Sequence, residues 1–383
     1  MIHSREPLLD GRRFDEADAV IQAAVERSEI PGVVLHVRAQ GRIVHERAFG
    51  RRHAGKRAAL KIDDIFPVAS LTKSVVAVGI LRLCEDGRLG LDDPIERYLP
   101  EFAGPKVLVH YDLETGAVVT RPASGSVTIH HLLTHTAGIH HGFPSPDDVM
   151  GTLYEKAGVV HSDRMPVEEK VRRLGPLPLA HDPGQAWTYG LSSDVAGRLI
   201  EVVSGQPLDR YLARCIFEPV GMRSTYFFVP AGERSRIVGQ HVHERGRVVV
   251  ASWARDAGER YLSGGGGLYT TVGAYGRFVQ LLLDGGSPVI SRESVALMTR
   301  NHIGNLTAFG VKYGLSVGIA TSDAHGESPL PVGGFGWYGI YSTWFWTLPR
   351  QHAAVLFFGN VLDPGMNRPL FARVAGAIEA ALT

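Results

Sequence analysis

Phe66-Pro67-Val68-Ala69-Ser70-Leu71-Thr72-Lys73, with the run Val75-Val76-Ala77-Val78-Gly79-Ile80-Leu81 behind it, is the stretch on which the reading of this chain turns. The run is apolar nearly all round, the pattern of a helix buried in the centre of a domain. The spacing predicts a helix from about Ser70 to Glu85, with Gly87 placed to end it. Ser70 and Lys73 then stand at i and i+3 on one face, with Cβ atoms roughly 5–6 Å apart. Lys73 is the one charged residue from Pro67 to Leu81, and the whole chain has only seven lysines. A lone charge in such a run is either paired or functional. A desolvated ammonium loses its proton more readily and can serve as a base near neutral pH. The helix dipole favours charge developing on the serine oxygen. Ser70 is therefore a candidate activated nucleophile, with Lys73 as its base. The spacing alone is weak evidence, because a surface lysine near a helix start produces it too; the apolar setting argues for the functional reading.

Outward from this helix, the chain shows strands at both ends. Phe14, Ala17, Val20, Ile21, Ala24 and Val25 recur at helical spacing and predict an opening amphipathic helix. Gly32 to Val37 and Arg42 to Ala48 read as strands turned at Gly41. Tyr313 to Ile319, Ile340 to Thr347 and His352 to Phe358 are β-branched and aromatic, with Pro349-Arg350-Gln351 as a hairpin turn; Phe371 to Leu382 reads as a closing helix. The middle, about 90 to 255, mixes helical segments with Pro/Gly/His-rich loops, and Val195, Leu199, Val202 and Val203 mark one helix. The expected fold is a mixed α+β one. Residues 1–69 and 256–383 would form one antiparallel sheet lobe, residues 70–255 a mostly helical lobe, and the site would lie between them.

Composition narrows the function classes. The 383 residues are 44% hydrophobic and 21% charged, with a net charge of +1. That balance gives no electrostatic case for nucleic acid or an anionic membrane. No apolar stretch reaches about 18 residues, so no membrane span is expected. Met1 to Pro7 carries no apolar core of a secretory signal, which makes the cytoplasm the default. Cys84 and Cys215 show no metal or redox spacing and read as reduced thiols. No G-x-S-x-G elbow is present. Gly334-Phe335-Gly336-Trp337-Tyr338-Gly339 matches a dinucleotide fingerprint on paper but leads into a strand rather than a helix. His130, His131, His135, His140 and His141 cluster without an H-E-x-x-H or a carboxylate at ligand spacing, so they read as loop-bonding histidines, and no metal is expected. Gly264 to Gly267 reads as a tight bend.

The landmarks resemble those of one family in order along nearly the whole chain. Phe66 to Lys73 is similar to the nucleophile motif of class C β-lactamases and related serine hydrolases. Gly90-Leu91-Asp92-Asp93-Pro94-Ile95 with Tyr98-Leu99-Pro100, and Thr128-Ile129-His130-His131-Leu132-Leu133-Thr134-His135-Thr136-Ala137-Gly138-Ile139, resemble its next signatures. Pro183-Gly184 with Trp187-Thr188-Tyr189 resembles the segment carrying the catalytic tyrosine, which implies that Tyr189 shares the base role with Lys73. The resemblance implies a β-lactamase/transpeptidase-like fold, and an oxyanion held by the backbone N–H groups of Ser70 and Ile340.

Two departures bear on substrate. β-Lactamases of the family read Tyr-x-Asn, where this chain reads Tyr189-Gly190-Leu191, and Lys-Thr-Gly, where it reads Trp337-Tyr338-Gly339. Leu191, Trp337 and Tyr338 remove groups that hold an anionic substrate and add apolar surface. The combination resembles the carboxylesterase branch, itself similar to acyl transferases of natural-product pathways. The expected activity is hydrolysis of a small-molecule ester or thioester with a neutral or aromatic acyl group, without cofactor. The alternatives are transfer to a specific alcohol or amine, a β-lactamase or D-alanyl peptidase, and a non-catalytic sensor on the same scaffold.

Overall fold

The computed structural model describes residues 11–112, 114–142, 148–160, 165–245, 247–251, 261–322, 331–363 and 368–383. The signal-peptide reading of Met1 to Pro7 and the expected boundary at residue 256 lie outside them.

Both ends of the chain build one sheet. Seven antiparallel strands run in the order Lys312–Tyr313, Gly318–Ile319, Phe335–Gly339, Thr343–Leu348, Ala353–Gly359, Gly32–Ala39, Arg42–Gly50. The seam between the two ends pairs Val33 with Gly359 through to Ala39 with Ala353. Strand periodicity sorts the side chains. Val33, Leu35, Val37, Val355 and Phe357 enter one apolar core, under the helices Asp15–Glu26 and Arg368–Leu382. Val34, Ala354, Leu356 and Phe358 enter the other, with the helix Val272–Leu283 and the central helix. Because both faces are covered, these strands read as near-continuous apolar runs rather than alternating ones.

The central helix runs over Thr72–Glu85, and every residue from Thr72 to Leu81 is buried. It is entered through a 3-10 turn, Ala69–Leu71, so Ser70 sits in that turn rather than in the α-helix itself. Ala69 has φ 44°. An alanine in the left-handed region is strained, and such residues persist where the surroundings fix them.

Several sequence expectations need correction. Tyr313 to Ile319 is not one strand: Gly314 N–H bonds Val317 O across a tight turn at 2.8 Å, with Ser316 at φ 61°. Ile340 lies in the turn before Thr343–Leu348 rather than in that strand, because Ser342 at φ 61° reverses the chain. The middle region also contains two hairpins, Lys106–Tyr111 with Val118–Pro122 and His241–Glu244 with Arg247–Val250. Their strands are short and largely exposed, so no buried alternation marked them. Cys84 and Cys215 are free thiols, both pushed up to about 12 chiefly by burial.

Candidate active site

Ser70 and Lys73 meet as the spacing requires. Lys73 is 4% exposed. Its Nζ donates to Ser70 Oγ at 3.1 Å and to the carbonyl of Gly265 at 2.5 Å. The Gly264–Gly267 bend makes the second contact available: a Cβ on Gly264 would lie 2.2 Å from Ser193 O, so the backbone passes against the neighbouring helix as only glycine allows. The ammonium is thus buried and held by one carbonyl and one hydroxyl.

Tyr189 reaches the same place from a loop. Thr188 N–H bonds His135 O at 2.8 Å, and Gly190 N–H bonds His135 Nδ1 at 3.4 Å. One histidine thus grips the backbone on both sides of the tyrosine. Lys73 Nζ stands 4.8 Å from the centre of the Tyr189 ring. The Tyr189 hydroxyl accepts from Trp337 Nε1 at 3.3 Å. His135 is fully buried, at φ 57°, with its ring 4.7 Å from that of Tyr189. Burial, and then the charge of Lys73, hold its imidazole well below the ordinary value of 6.5. It is neutral at physiological pH, accepts at Nδ1 and carries its proton on Nε2.

An aromatic lattice encloses the pair. Trp187 stacks on Tyr189 at 5.7 Å, and Tyr313 meets Trp337 edge to face at 4.8 Å. Phe309 meets Trp187 at 4.9 Å and Tyr189 at 5.7 Å. Phe309 is 44% exposed and has φ 50°, at the tip of the turn that bridges Ala308 to Val311.

The remaining expected site residues divide. Trp337 is only 2% exposed. It therefore backs Tyr189 rather than offering an open wall, because its indole is used up between Tyr189, Tyr313 and Tyr338. Tyr338 packs on Trp337 and Trp344. Gly339 abuts the entry to the Ser70 turn: a Cβ there would sit 2.3 Å from Val68 O. Ile340 follows it and is 40% exposed. Leu191 precedes the helix Ser192–Ser204, and its N–H bonds His140 O at 3.3 Å.

His131 and His140 bond loop backbone, as His135 does, whereas His130 Nε2 meets His302 Nδ1 at 3.0 Å. His131 Nδ1 accepts from Thr128 N–H in a capping box, and His140 Nδ1 accepts from Gly142 N–H at 3.2 Å. Asp148, which no ligand spacing in the sequence marks, reaches them in space: its Oδ2 lies 3.5 Å from His140 Nδ1, and its Oδ1 caps the helix Val149–Lys156 through Gly151 N–H.

Two residues of this cluster are not marked as such in the sequence. Phe309-Gly310 is a turn signal that carries no hint of what the ring covers. Asp194 reads as an ordinary acid in the first turn of a helix, yet it is 4% exposed.

A family model described as Beta-lactamase matches residues 17–378. Esterase EstB of Burkholderia gladioli is 30% identical, over 95% of this chain and 94% of its own length. The monacolin J acid methylbutanoyltransferase of Aspergillus terreus is 28% identical, over 73% and 69%. The solved structure of simvastatin synthase from Aspergillus terreus superposes with a TM-score of 0.83 at 25% identity, covering 96% of this chain and 98% of that one.

Proposed function

The chain belongs to the β-lactamase family, and from that premise we propose that it is a serine esterase that works through an acyl-enzyme on Ser70, with carboxylic esters of neutral or aromatic acyl groups as substrates. The observation that carries the reading is the buried Lys73 ammonium, 3.1 Å from Ser70 Oγ and fixed from behind by Gly265 O. In the proposed cycle Lys73 and Tyr189 take the Ser70 proton as the oxygen attacks the ester carbonyl. The new bond is Ser70 Oγ to acyl carbon, and the bond that breaks is acyl carbon to leaving-group oxygen, which Tyr189 reprotonates. Water then attacks the acyl-enzyme by the same route in reverse. The N–H groups of Ser70 and Ile340 hold the oxyanion; the close approach of Gly339 to Val68 O supports that pairing. Donors of this kind contribute about 2.7–4 kcal/mol each.

Transfer to an alcohol or amine is the second reading. The likeness to a methylbutanoyltransferase favours it, as does the dense aromatic lining, which limits water around the acyl-enzyme. Both readings share the acyl-enzyme, so one experiment addresses them. The chain is incubated with p-nitrophenyl esters from acetyl to decanoyl, and its intact mass is followed with and without added small alcohols. An acyl adduct mapping to Ser70 that clears in water identifies an esterase. An adduct that persists until an alcohol is added identifies a transferase. Turnover with the adduct on another residue sinks both.

Phe309 gives the pocket its test. Phe309→Ala is expected to lower kcat/KM for a phenylacetyl ester by about 2- to 10-fold, the roughly 0.5–1.5 kcal/mol range of an aromatic pair, while sparing the acetyl ester. Equal losses on the two esters would remove Phe309 from substrate contact.

A further inference from the structure

Behind the Gly264–Gly267 bend lies a buried chain of polar groups to which the mechanism above gives no part. Asp194 Oδ1 accepts three hydrogen bonds: from Tyr261 Oη at 2.9 Å, from Ser263 Oγ at 2.8 Å and from Gly265 N–H at 3.4 Å. Tyr261 Oη in turn accepts from Lys170 Nζ at 2.9 Å, and Lys170 is 6% exposed. A Cβ placed on Gly265 would stand 2.8 Å from Asp194 Oδ2 and 3.6 Å from Lys73 Nζ. Carboxylate and ammonium therefore face the one residue between them, whose N–H bonds the first and whose C=O bonds the second.

We propose that Asp194 is a positioning residue for Lys73, a fixed buried anion that aims the Gly265 carbonyl at the ammonium and sets how tightly Lys73 holds its proton. This rests on Lys73 being the base of the proposed mechanism, but it concerns the lysine itself. A buried carboxylate costs several kcal/mol unless it is paired and hydrogen-bonded. Here the donors of Tyr261, Ser263 and Gly265 satisfy it, and Lys170 supplies a distant countercharge through Tyr261. The carboxylate is thus held by these donors rather than by an ion pair with Lys73 that would draw the side chain away from Ser70. The titratable groups facing Lys73 are Tyr189 and His135 from two loops and Asp194 from the helix; Tyr261 and Lys170 stand behind Asp194. His135 is neutral and Tyr189 is untouched by a change at position 194, so a shift there reports the carboxylate.

The sign follows from charge. Removing an anion beside a cation disfavours the cation, so Lys73 in Asp194→Asn loses its proton at lower pH. Removing the Lys170 cation acts in the opposite sense. The chain has only seven lysines, so lysine 13Cε signals can be followed by NMR, with the Lys73 signal identified by its loss in Lys73→Met. This readout needs no turnover, and a failure of Ser70 to acylate leaves it intact. The expected result is a Lys73 midpoint lowered by about one unit or more in Asp194→Asn, the scale for an opposite charge within about 4–6 Å, and raised in Lys170→Met. Should Asp194→Asn fail to fold, the Lys170→Met arm carries the test alone. A midpoint unmoved in the folded variant overturns the proposal, even if activity falls.

Discussion

Ser70→Ala is expected to lower ester turnover by about a million-fold, the scale seen when the nucleophile of a catalytic unit is removed, with little change in melting temperature. The two halves of that expectation come from different observations. Ser70 Oγ is bonded by Lys73 Nζ, and the residue is only partly buried, so its loss opens no cavity and orphans no neutral group. Substitutions of this sort usually stay within about 0.5 kcal/mol. The chemistry has no substitute. Ser74 Oγ is committed to Ser316 O at 2.9 Å inside the core. Ser192 and Ser193 are 0% and 1% exposed, and Ser263 is bonded to Asp194. Water within the oxyanion site could still give a residual rate, as it does in other serine enzymes stripped of their nucleophile. Hydrolysis of p-nitrophenyl butyrate, with melting followed by circular dichroism, checks both halves. A Ser70→Ala protein that retains a tenth or more of wild-type turnover places the nucleophile elsewhere.

The parts of the fold that the sequence announced are those whose signals are local. The helix Asp15–Glu26 follows from the 3–4 spacing of Ala17, Ile21 and Ala24, all buried. The first hairpin follows from Gly41, at φ 75° between two strands. The central helix follows from its unbroken apolar run, and Lys73 stood out within it because nothing else there was charged. Contacts made across the fold leave no such trace. Asp194 and Gly265 are 71 residues apart, and Asp194 differs in sequence from any acid at a helix start. Trp337 was read as open surface because its strand neighbours are visible in the sequence, whereas Tyr189, which takes its N–H, is 148 residues away. Ile340 was placed in a strand on composition alone, and one left-handed serine, Ser342, moved it into a turn. The site was legible as a list of residue types, not as an arrangement.

Lys73→Met separates a lysine kept for chemistry from one kept for structure. Methionine matches the length and fills the same apolar channel with a flexible, polarizable chain, so packing beside Val75 and Val76 is preserved. Methionine also removes the desolvation cost of the buried ammonium, which is on the order of several kcal/mol per ion. Against this, the Gly265 carbonyl loses its donor, a cost of about 1–3 kcal/mol. The two nearly cancel, and the expected melting temperature lies within a few degrees of wild type. Activity has no such offset: loss of a general base costs about 10²–10⁴ in rate, and Tyr189 alone, deprived of the ammonium 4.8 Å from its ring, cannot recover it. The expected variant is thus as stable as the wild type and at least a hundredfold slower on p-nitrophenyl butyrate. A fall in stability of more than about 3 kcal/mol, the scale for breaking a buried pair, would show that Lys73 is held mainly as countercharge to Asp194. Its position beside Ser70 would then be a consequence of folding rather than of catalysis.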